Sequence, residues 1–269
     1  MLKEKIAFLG AGNMAEALIR GVIDAKLLQP TNIIATDIRE DRLRYIADKT
    51  KVSVNPDNVR AVKEARVIVL AVKPQDMDIL LGQIRLALDP SKLIISIAAG
   101  ITTRYIEDLL VGEVPVVRVM PNTAVRVMEG ASAFSLGRYA EKDEESIAEA
   151  LLGAVGRVVK VPEDLMDVIT ALSGSGPAYI FFIIGSLMEA AISLGLDRDT
   201  ACILAAQTTL GAAKLVLATG EDPLLLREKV ASPGGTTEAA LRVFDQKGLS
   251  GILSRALNAA AARSKELAR

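Results

Sequence analysis

The sequence predicts two domains of different fold class, an α/β domain over residues 1–162 and an all-α domain over residues 163–269. Up to about residue 160, short β-rich runs alternate with helical patterns, which indicates an open parallel sheet with helices on both faces. After Pro162 the β-rich runs disappear and helical segments follow one another. A glycine-rich turn directly after the first predicted strand is the third observation, because it is typical of nucleotide-binding sheets.

The first domain has seven segments with the composition of strands. Two of them, 66–72 and 93–97, are nearly continuous apolar runs, which is typical of strands that helices cover on both faces. Apolar residues recur at helical spacing from Ala15 to Val22, which predicts a crossover helix between the first two strands. The predicted strands are residues 5–9, 32–37, 66–72, 93–97, 115–119, 131–135 and 156–161.

The second domain has six predicted helices, two of which carry no charge on any face over residues 178–187 and 200–213. A helix that is apolar all round must be buried all round. A domain of about 107 residues buries only roughly 60–70% of its surface and has difficulty enclosing two such helices. We therefore expect a homodimer through this domain, with a compact single-chain bundle as the alternative and a higher oligomer of dimers left open. The predicted helices are residues 163–172, 177–194, 199–218, 223–230, 236–246 and 250–267.

Composition excludes several function classes. The chain has no histidine, which rules out serine-protease-like triads, the common zinc sites and the histidine–aspartate pair of lactate-type dehydrogenases. Lys and Arg number 32 against 33 Asp and Glu, and aromatic residues are 3%, so we expect no nucleic-acid partner. Cys202 is the only cysteine and no segment predicts a signal peptide or a membrane span, so we expect a cytoplasmic protein without a metal site.

The turn Gly10-Ala11-Gly12-Asn13-Met14-Ala15 matches the G-x-G-x-x-A dinucleotide fingerprint. Its first glycine permits a tight turn, its second lets a pyrophosphate approach the backbone, and its small sixth residue lets the helix pack on the strand. The start of the helix offers free N–H groups and the positive end of its dipole to the phosphates. These six residues predict cofactor binding in a Rossmann dinucleotide-binding domain.

The end of the second strand leaves the choice between NAD and NADP open. Asp37 stands where an acid usually binds the ribose 2′-hydroxyl, which favours NAD because a carboxylate repels a 2′-phosphate. Arg39 could instead bind that phosphate through its guanidinium, and both side chains also suit a plain solvated helix start. The loop Ala71-Val72-Lys73-Pro74 follows another strand, so it either faces the cofactor cleft or only turns the chain into a helix.

Six short motifs occur in order along the chain, and they are Gly10-Ala11-Gly12-Asn13-Met14-Ala15-Glu16-Ala17, Ala71-Val72-Lys73-Pro74, Met120-Pro121-Asn122-Thr123, Leu172-Ser173-Gly174-Ser175-Gly176-Pro177-Ala178-Tyr179, Leu210-Gly211-Ala212-Ala213-Lys214 and Ser232-Pro233-Gly234-Gly235-Thr236-Thr237. Together they closely resemble the pyrroline-5-carboxylate reductase family, over residues 5 to about 265. The resemblance implies a Rossmann domain followed by a helical dimerising domain. It also implies NAD(P)H-dependent reduction of a cyclic imine carboxylate to L-proline, usually with NADPH.

The resemblance implies roles for further residues by position. Asn58 matches the family's asparagine that contacts the cofactor, Ala98-Ala99 matches a loop beside the nicotinamide, and Asn122 joins the implied cofactor-binding set. The family often has serines at the end of the second strand, where this chain has Thr36-Asp37, and this departure weakens the NADPH preference. At position 229 some members have an asparagine near the cofactor, whereas this chain has Lys229.

Reduction of a cyclic imine fits a chain without histidine, because the imine is basic enough to arrive partly protonated near neutral pH. The enzyme then needs orientation, which can lower a barrier by roughly 7–11 kcal/mol, more than it needs a strong acid. The N–H groups from Gly234 through Gly235 and Thr236 to Thr237, at the end of the Ser232–Thr237 segment, are expected to hold the substrate carboxylate. Thr237 is expected to reach the imine nitrogen through its hydroxyl, with a plain helix cap as the alternative.

A second loop, Gly174-Ser175-Gly176-Pro177, lines the substrate pocket in the family pattern, with Thr170 and Ser175 as polar candidates; a plain helix start is the alternative. Another NADP-dependent imine or 3-hydroxyacid oxidoreductase is a competing function. The 3-hydroxyacid enzymes need a lysine near the domain boundary, and no lysine lies between Lys160 and Lys214. A non-catalytic nucleotide sensor is a further alternative. The intact Ser232–Thr237 segment, which is expected to bind the substrate carboxylate, is evidence against it.

Overall fold

A computed structural model describes residues 4–268 of the 269-residue chain. Contacts between residues divide these into two compact units. Unit 1 contains residues 4–175 and 260–268, and unit 2 contains residues 176–259. Unit 1 thus continues past Pro162, where the sequence changes character, because residues 163–175 bond to its sheet. The domain boundary at residue 162 stays a prediction.

The sheet of unit 1 has the order β3-β2-β1-β4-β5-β6-β7-β8, with strands β1 Ile6–Leu9, β2 Ile33–Thr36, β3 Ser53–Val54, β4 Val67–Leu70, β5 Leu93–Ser96, β6 Val116–Met120, β7 Gly130–Leu136 and β8 Gly156–Lys160. Every neighbouring pair is parallel except β6 and β7. The predicted α/β fold is therefore confirmed. The strand order reverses between β1 and β4, and a crevice at such a point is where open α/β sheets bind ligands.

Two features of the sheet were not predicted. The strand β3 has only two residues, both exposed, so it has no apolar run to identify it. The strand β7 runs antiparallel to β6 because residues 121–129 connect them, and a parallel crossover needs about a dozen residues or more. All seven predicted strands are present.

Helices cover both faces of the sheet and create two apolar cores. Along β1 the side chains alternate between them: Ile6 and Phe8 belong to one core, Ala7 and Leu9 to the other. Burial on both faces is the reason why the central strands are continuous apolar runs. The helices of unit 1 are α1 Asn13–Asp24, α2 Glu40–Thr50, α3 Asn58–Glu64, α4 Met77–Ile84, α5 Thr103–Leu109, α6 Lys142–Gly153 and α7 Met166–Ile169.

The segment predicted as one helix over residues 163–172 is three short pieces. A 3₁₀ turn, Glu163–Leu165, precedes α7, and a π-helix, Thr170–Gly174, follows it. The N–H of Ser175 donates to the carbonyl of Thr170 at 2.8 Å, which is the i to i+5 bond of a π-helix. Such a wide turn frequently occurs at a functional site.

Unit 2 and the C-terminus contain the other five predicted helices: α8 Gly176–Ser193, α9 Arg198–Thr219, α10 Pro223–Val230, α11 Thr236–Gln246 and α12 Leu249–Leu267, whose last turns lie in unit 1. In the single chain α8 buries no residue, and α9 buries only Ala201 and Ala205. Large apolar side chains are left exposed, among them Phe182, of which 76% is accessible. The sequence predicts that a second copy of the chain covers this surface.

Two helical stretches are long and apolar enough to cross a membrane by length and composition alone, residues 163–193 and 198–219, both with mean hydropathy 1.6. The sequence predicts no membrane span, because the glycines and the proline between 174 and 177 interrupt the first stretch. In the structure the chain remains helical through this point, as the π-helix continues into α8.

Candidate active site

The glycine-rich loop lies between β1 and α1, as predicted. Gly10 has φ +98°, and a Cβ there would lie 2.8 Å from the carbonyl oxygen of Ala71, so only glycine fits. Gly12 precedes α1 with an ordinary φ of −66°, and a Cβ there would meet no atom within 4 Å. The loop therefore leaves open space at Gly12, beside the free N–H groups at the start of α1, which suits a pyrophosphate.

Asp37 lies at the end of β2 and bonds to this loop. Its Oδ2 accepts a hydrogen bond of 3.0 Å from the N–H of Ala11, and its Oδ1 accepts one of 3.0 Å from the N–H of Arg39. Arg39 precedes α2 with its side chain exposed. The carboxylate is thus fixed at the adenosine end of the predicted nucleotide site, and the exposed guanidinium of Arg39 lies two residues away along the chain.

Asn58 lies close to the same strand end and is held from both sides. The hydroxyl of the buried Thr36 donates to Asn58 Oδ1 at 2.5 Å, and Asn58 Nδ2 donates to Gln83 Oε1 at 3.0 Å. These bonds fix the orientation of the carboxamide at the end of β2. Gln83 is on α4 and belongs to no sequence motif, so sequence reasoning missed it.

Three more predicted loops leave the sheet at the same edge as the glycine-rich loop. Ala71–Pro74 follows β4, Ala98–Ala99 follows the end of β5, and Met120–Asn122 ends β6. Because β1, β4, β5 and β6 are parallel, their carboxyl ends share one edge. The N–H of Ala71 donates to the carbonyl of Leu9 at 2.9 Å, which joins the first of these loops to β1. The structure thus gathers the predicted cofactor residues along the crevice.

Asn122 has a structural role in the chain as it stands. Its Nδ2 donates to the carbonyl of Ser173 at 3.1 Å, and its Oδ1 accepts from the N–H groups of Ala124 and Ala131 at 3.2 and 3.3 Å. The buried carboxamide therefore ties the π-helix to the end of β6. The sequence predicts Asn122 among the cofactor residues, and that role stays a prediction; the bonds seen here also position the neighbouring loop.

The π-helix carries Thr170, and Ser175 follows its end. The hydroxyl of Thr170 donates to the carbonyl of Met166 at 2.8 Å, so its oxygen offers only acceptor capacity to a ligand. Both side chains are partly buried. The two predicted polar candidates are thus close in the chain and separated by one wide helical turn.

The predicted substrate loop of unit 2 lies before α11. Gly234 adopts φ +72° and Gly235 precedes the helix. The N–H of Gly234 donates to the Glu238 carboxylate at 2.5 Å, and the N–H of Gly235 donates to the carbonyl of Ser232 at 2.9 Å. Two of the four predicted anion donors are therefore engaged within the loop, because Glu238 caps the helix from its first turn.

Thr236 and Thr237 supply the other two predicted N–H donors, at the first helical positions of α11. Thr237 is partly buried, and within residues 4–268 its hydroxyl has no hydrogen-bond partner. The side chain is therefore able to bond to a ligand. Across the same residues, no group of three or more His, Cys, Asp and Glu side chains could hold a metal ion.

Comparison with known proteins identifies the family. The chain is 43% identical over 267 residues to the pyrroline-5-carboxylate reductase of Methanosarcina acetivorans, with 99% of each chain covered. It is 42% identical over 269 residues to that of Pseudomonas aeruginosa, covering 100% of this chain and 98% of the relative. The chain belongs to the pyrroline-5-carboxylate reductase family. As a member it is an oxidoreductase that uses NAD(P)H, which confirms the predicted enzyme class and cofactor.

Two family descriptions match separate parts of the chain, and residues 101–162 lie between the two matches. One, pyrroline-5-carboxylate reductase dimerisation, matches residues 163–267, and the other, NADP oxidoreductase, coenzyme F420-dependent, matches residues 5–100. A solved pyrroline-5-carboxylate reductase from Coxiella burnetii has TM-score 0.94 and 41% identity, with all of both chains covered. The Plasmodium falciparum enzyme, solved with NADP bound, has TM-score 0.90 and 28% identity, again over both whole chains.

Proposed function

We propose that the chain reduces 1-pyrroline-5-carboxylate to L-proline, the last step of proline biosynthesis. Family membership together with the open space at Gly12 carries this proposal. The cyclic C=N bond gains a hydride at carbon and a proton at nitrogen. When bound, NAD(P)H supplies the hydride. The chain itself binds and orients both reactants, since it has no histidine to act as a general acid.

The cofactor is proposed to bind along the crevice at the carboxyl edge of the sheet. The glycine-rich loop and the start of α1 take the pyrophosphate, since their N–H groups carry partial positive charge. The end of β2 and the start of α3 take the adenosine, and the loops after β4 and β5 lie toward the nicotinamide. The proposed residues are Gly10, Ala11, Gly12, Asn13, Met14, Ala15, Thr36, Asp37, Arg39, Asn58, Ala71, Val72, Lys73, Pro74, Ala98 and Ala99, with Asn122 in support.

The preference between NADPH and NADH depends on two opposed charges at the end of β2. Asp37 repels a 2′-phosphate, whereas the exposed Arg39 is free to approach one. We expect both cofactors to be used, with NADPH bound through Arg39.

The substrate carboxylate is proposed to bind the N–H groups of Thr236 and Thr237. These lie at the positive end of the α11 dipole, where an anion is stabilised without a buried cation. The Thr237 hydroxyl would then hydrogen-bond the ring nitrogen, with Ser232, Gly234 and Gly235 shaping the loop. Thr170 and Ser175 are proposed as further polar groups of the substrate site.

The assembly is proposed to be a homodimer through the helical domain, which assembles in the cytoplasm. Support comes from the exposed apolar side chains of α8 and α9 and from the dimerisation family that matches residues 163–267. The two membrane-length helices are better explained by a partner copy, because that family description names dimerisation. Whether dimers assemble further is open to measurement by sedimentation.

Initial rates test the reaction directly. Purified chain is mixed with 1-pyrroline-5-carboxylate and either NADPH or NADH, and cofactor oxidation is followed with L-proline as the product. Activity on this imine and none on 3-hydroxyacids supports the proposal. Cofactor binding with no turnover on any imine would instead support the nucleotide-sensing alternative.

A further inference from the structure

The peptide groups on either side of Ala11 are each held by a charged side chain. The N–H of Ala11 donates to Asp37, and the carbonyl of Ala11 accepts from Nε of Arg42. Ala11 itself is completely buried. Asp37 therefore orients the peptide between Gly10 and Ala11, and Arg42 orients the peptide between Ala11 and Gly12.

The side chain of Arg42 is locked in place. Its Nη2 lies 2.5 Å from Oε2 of Glu16 on α1, and its guanidinium carbon lies 4.9 Å from the ring centre of Tyr45. The Tyr45 hydroxyl lies 3.3 Å from the other Glu16 oxygen. Only 12% of the Arg42 side chain is exposed, against 79% for Arg44 on the same helix. Arg42 is therefore held in one orientation, while Arg44 remains in solvent.

Peptide planarity gives the Arg42 contact a consequence at the nucleotide site. In a trans peptide the carbonyl oxygen and the following N–H point in opposite directions. Because Arg42 holds the Ala11 oxygen on one side, the N–H of Gly12 is turned to the other side. Glu16 pairs with Arg42 and also, through its other oxygen at 2.6 Å, with Arg20, so this cluster carries one net positive charge. The contribution specific to Arg42 is its contact with the Ala11 oxygen, which orients the peptide.

We propose that Arg42 is a positioning residue for the cofactor, which fixes the Gly12 N–H in the direction that binds the pyrophosphate. The inference rests on the proposed nucleotide site at this loop. Without Arg42 the peptide between Ala11 and Gly12 can rotate. The free energy of ordering the loop must then come from cofactor binding, which lowers the affinity for the cofactor.

The test compares Arg42→Met with a control, Arg44→Met. The control removes the same charge two residues further along the helix, where Arg44 forms an exposed ion pair with Glu40. We expect Arg42→Met to raise the Kd and the KM for NADPH about tenfold, as for the loss of one oriented hydrogen-bonding group. The kcat at saturating NADPH and the KM for the imine should stay within about twofold. Arg42→Lys should restore part of the affinity, and Arg44→Met should behave as wild type.

Several results overturn the inference. One is an unchanged Kd for NADPH in folded Arg42→Met, and another is a fall in kcat with Kd unchanged, which indicates a general structural role. Should Arg42→Met not fold, Glu16→Gln provides the decision, because it weakens the ion pair that holds the guanidinium: it must raise the Kd for NADPH, and an unchanged Kd overturns the inference. A wild-type chain that binds NADPH without reducing the imine overturns the proposed reaction and leaves this inference standing.

Discussion

The N–H of Ala11 donates a hydrogen bond to Oδ2 of Asp37, and this bond joins the carboxylate at the end of β2 to the glycine-rich loop. An acidic residue at this strand end is usually considered only for its hydrogen bond to the ribose 2′-hydroxyl of the cofactor. Here the same carboxylate also orders the backbone that is proposed to bind the phosphates. Replacing Asp37 therefore has two separable effects, one on charge and one on loop geometry.

Asp37→Asn removes the charge and keeps an acceptor oxygen for the Ala11 N–H. We expect the ratio of NADPH to NADH affinity to rise about fivefold, since repulsion of the 2′-phosphate by one partly screened charge is about 1 kcal/mol. Asp37→Ala removes both the charge and the acceptor for the Ala11 N–H, and it should weaken the binding of NADPH and NADH alike. Dissociation constants for NADPH and NADH measured side by side check this, and equal ratios in wild type and Asp37→Asn would contradict it.

Gly12→Val should abolish nucleotide binding without unfolding the chain. The φ of −66° suits any residue and the new Cβ meets no protein atom, so the free energy of unfolding should change little. The branched side chain would occupy the space of the pyrophosphate. Gly10→Val is the contrast, because a Cβ there clashes with the Ala71 carbonyl and should lower Tm. Cofactor titration and thermal melts of both variants separate the two outcomes.

Leu204→Arg, or Ile184→Arg, should break the assembly while unit 1 stays folded. Leu204 is exposed in the single chain, so the arginine is tolerated there, but an unpaired charge buried between copies costs several kcal/mol. Leu86→Arg is the control, since Leu86 is an exposed leucine of unit 1. Sedimentation velocity measures the result. A Leu204→Arg chain that sediments as a stable dimer would show that α9 does not form the interface.

Thr237→Ala tests the chemistry. Turnover should fall by roughly 10–100-fold, about 1.4–2.7 kcal/mol, if the hydroxyl orients the iminium. Thr237→Ser should recover most of the lost turnover, and the Kd for NADPH should be unchanged because the proposed nucleotide site lies in unit 1. A rise in the KM for the imine with kcat intact would instead make Thr237 a carboxylate ligand or a helix cap.

Glu107 gives unit 1 a pH-dependent contribution to stability. Burial raises the pKa of its carboxyl above the ordinary value, although the carboxylate accepts a hydrogen bond from the N–H of Arg138. A raised pKa means that the folded chain binds the proton more tightly, so this contribution is complete at low pH and is lost as pH rises through the folded pKa. Melting curves across about pH 4–7 should show Glu107→Gln gaining in Tm relative to wild type as pH rises. A constant difference would contradict this.

Local patterns predicted the glycine-rich loop because all its information lies within one strand, turn and helix. The same reasoning missed Arg42, whose partner Ala11 is 31 positions away, and no spacing rule connects such a pair. For Asn122 the motif predicts a place in the cofactor site but does not show its bonds to Ser173, Ala124 and Ala131. Glu238 was missed for a different reason: its capping bond to Gly234 is local, but it competes with the anion that the loop was expected to hold.

The exposed apolar surface of α8 and α9 has a consequence for how active protein is produced. In the proposed assembly, a newly folded chain keeps this surface in water until it meets another copy, and the rate of that encounter rises with the square of the protein concentration. Chains that have not yet paired can aggregate non-specifically, and the rate of aggregation rises even more steeply with protein concentration than the rate of pairing. Recovery of activity after dilution from denaturant should therefore pass through a maximum at an intermediate protein concentration.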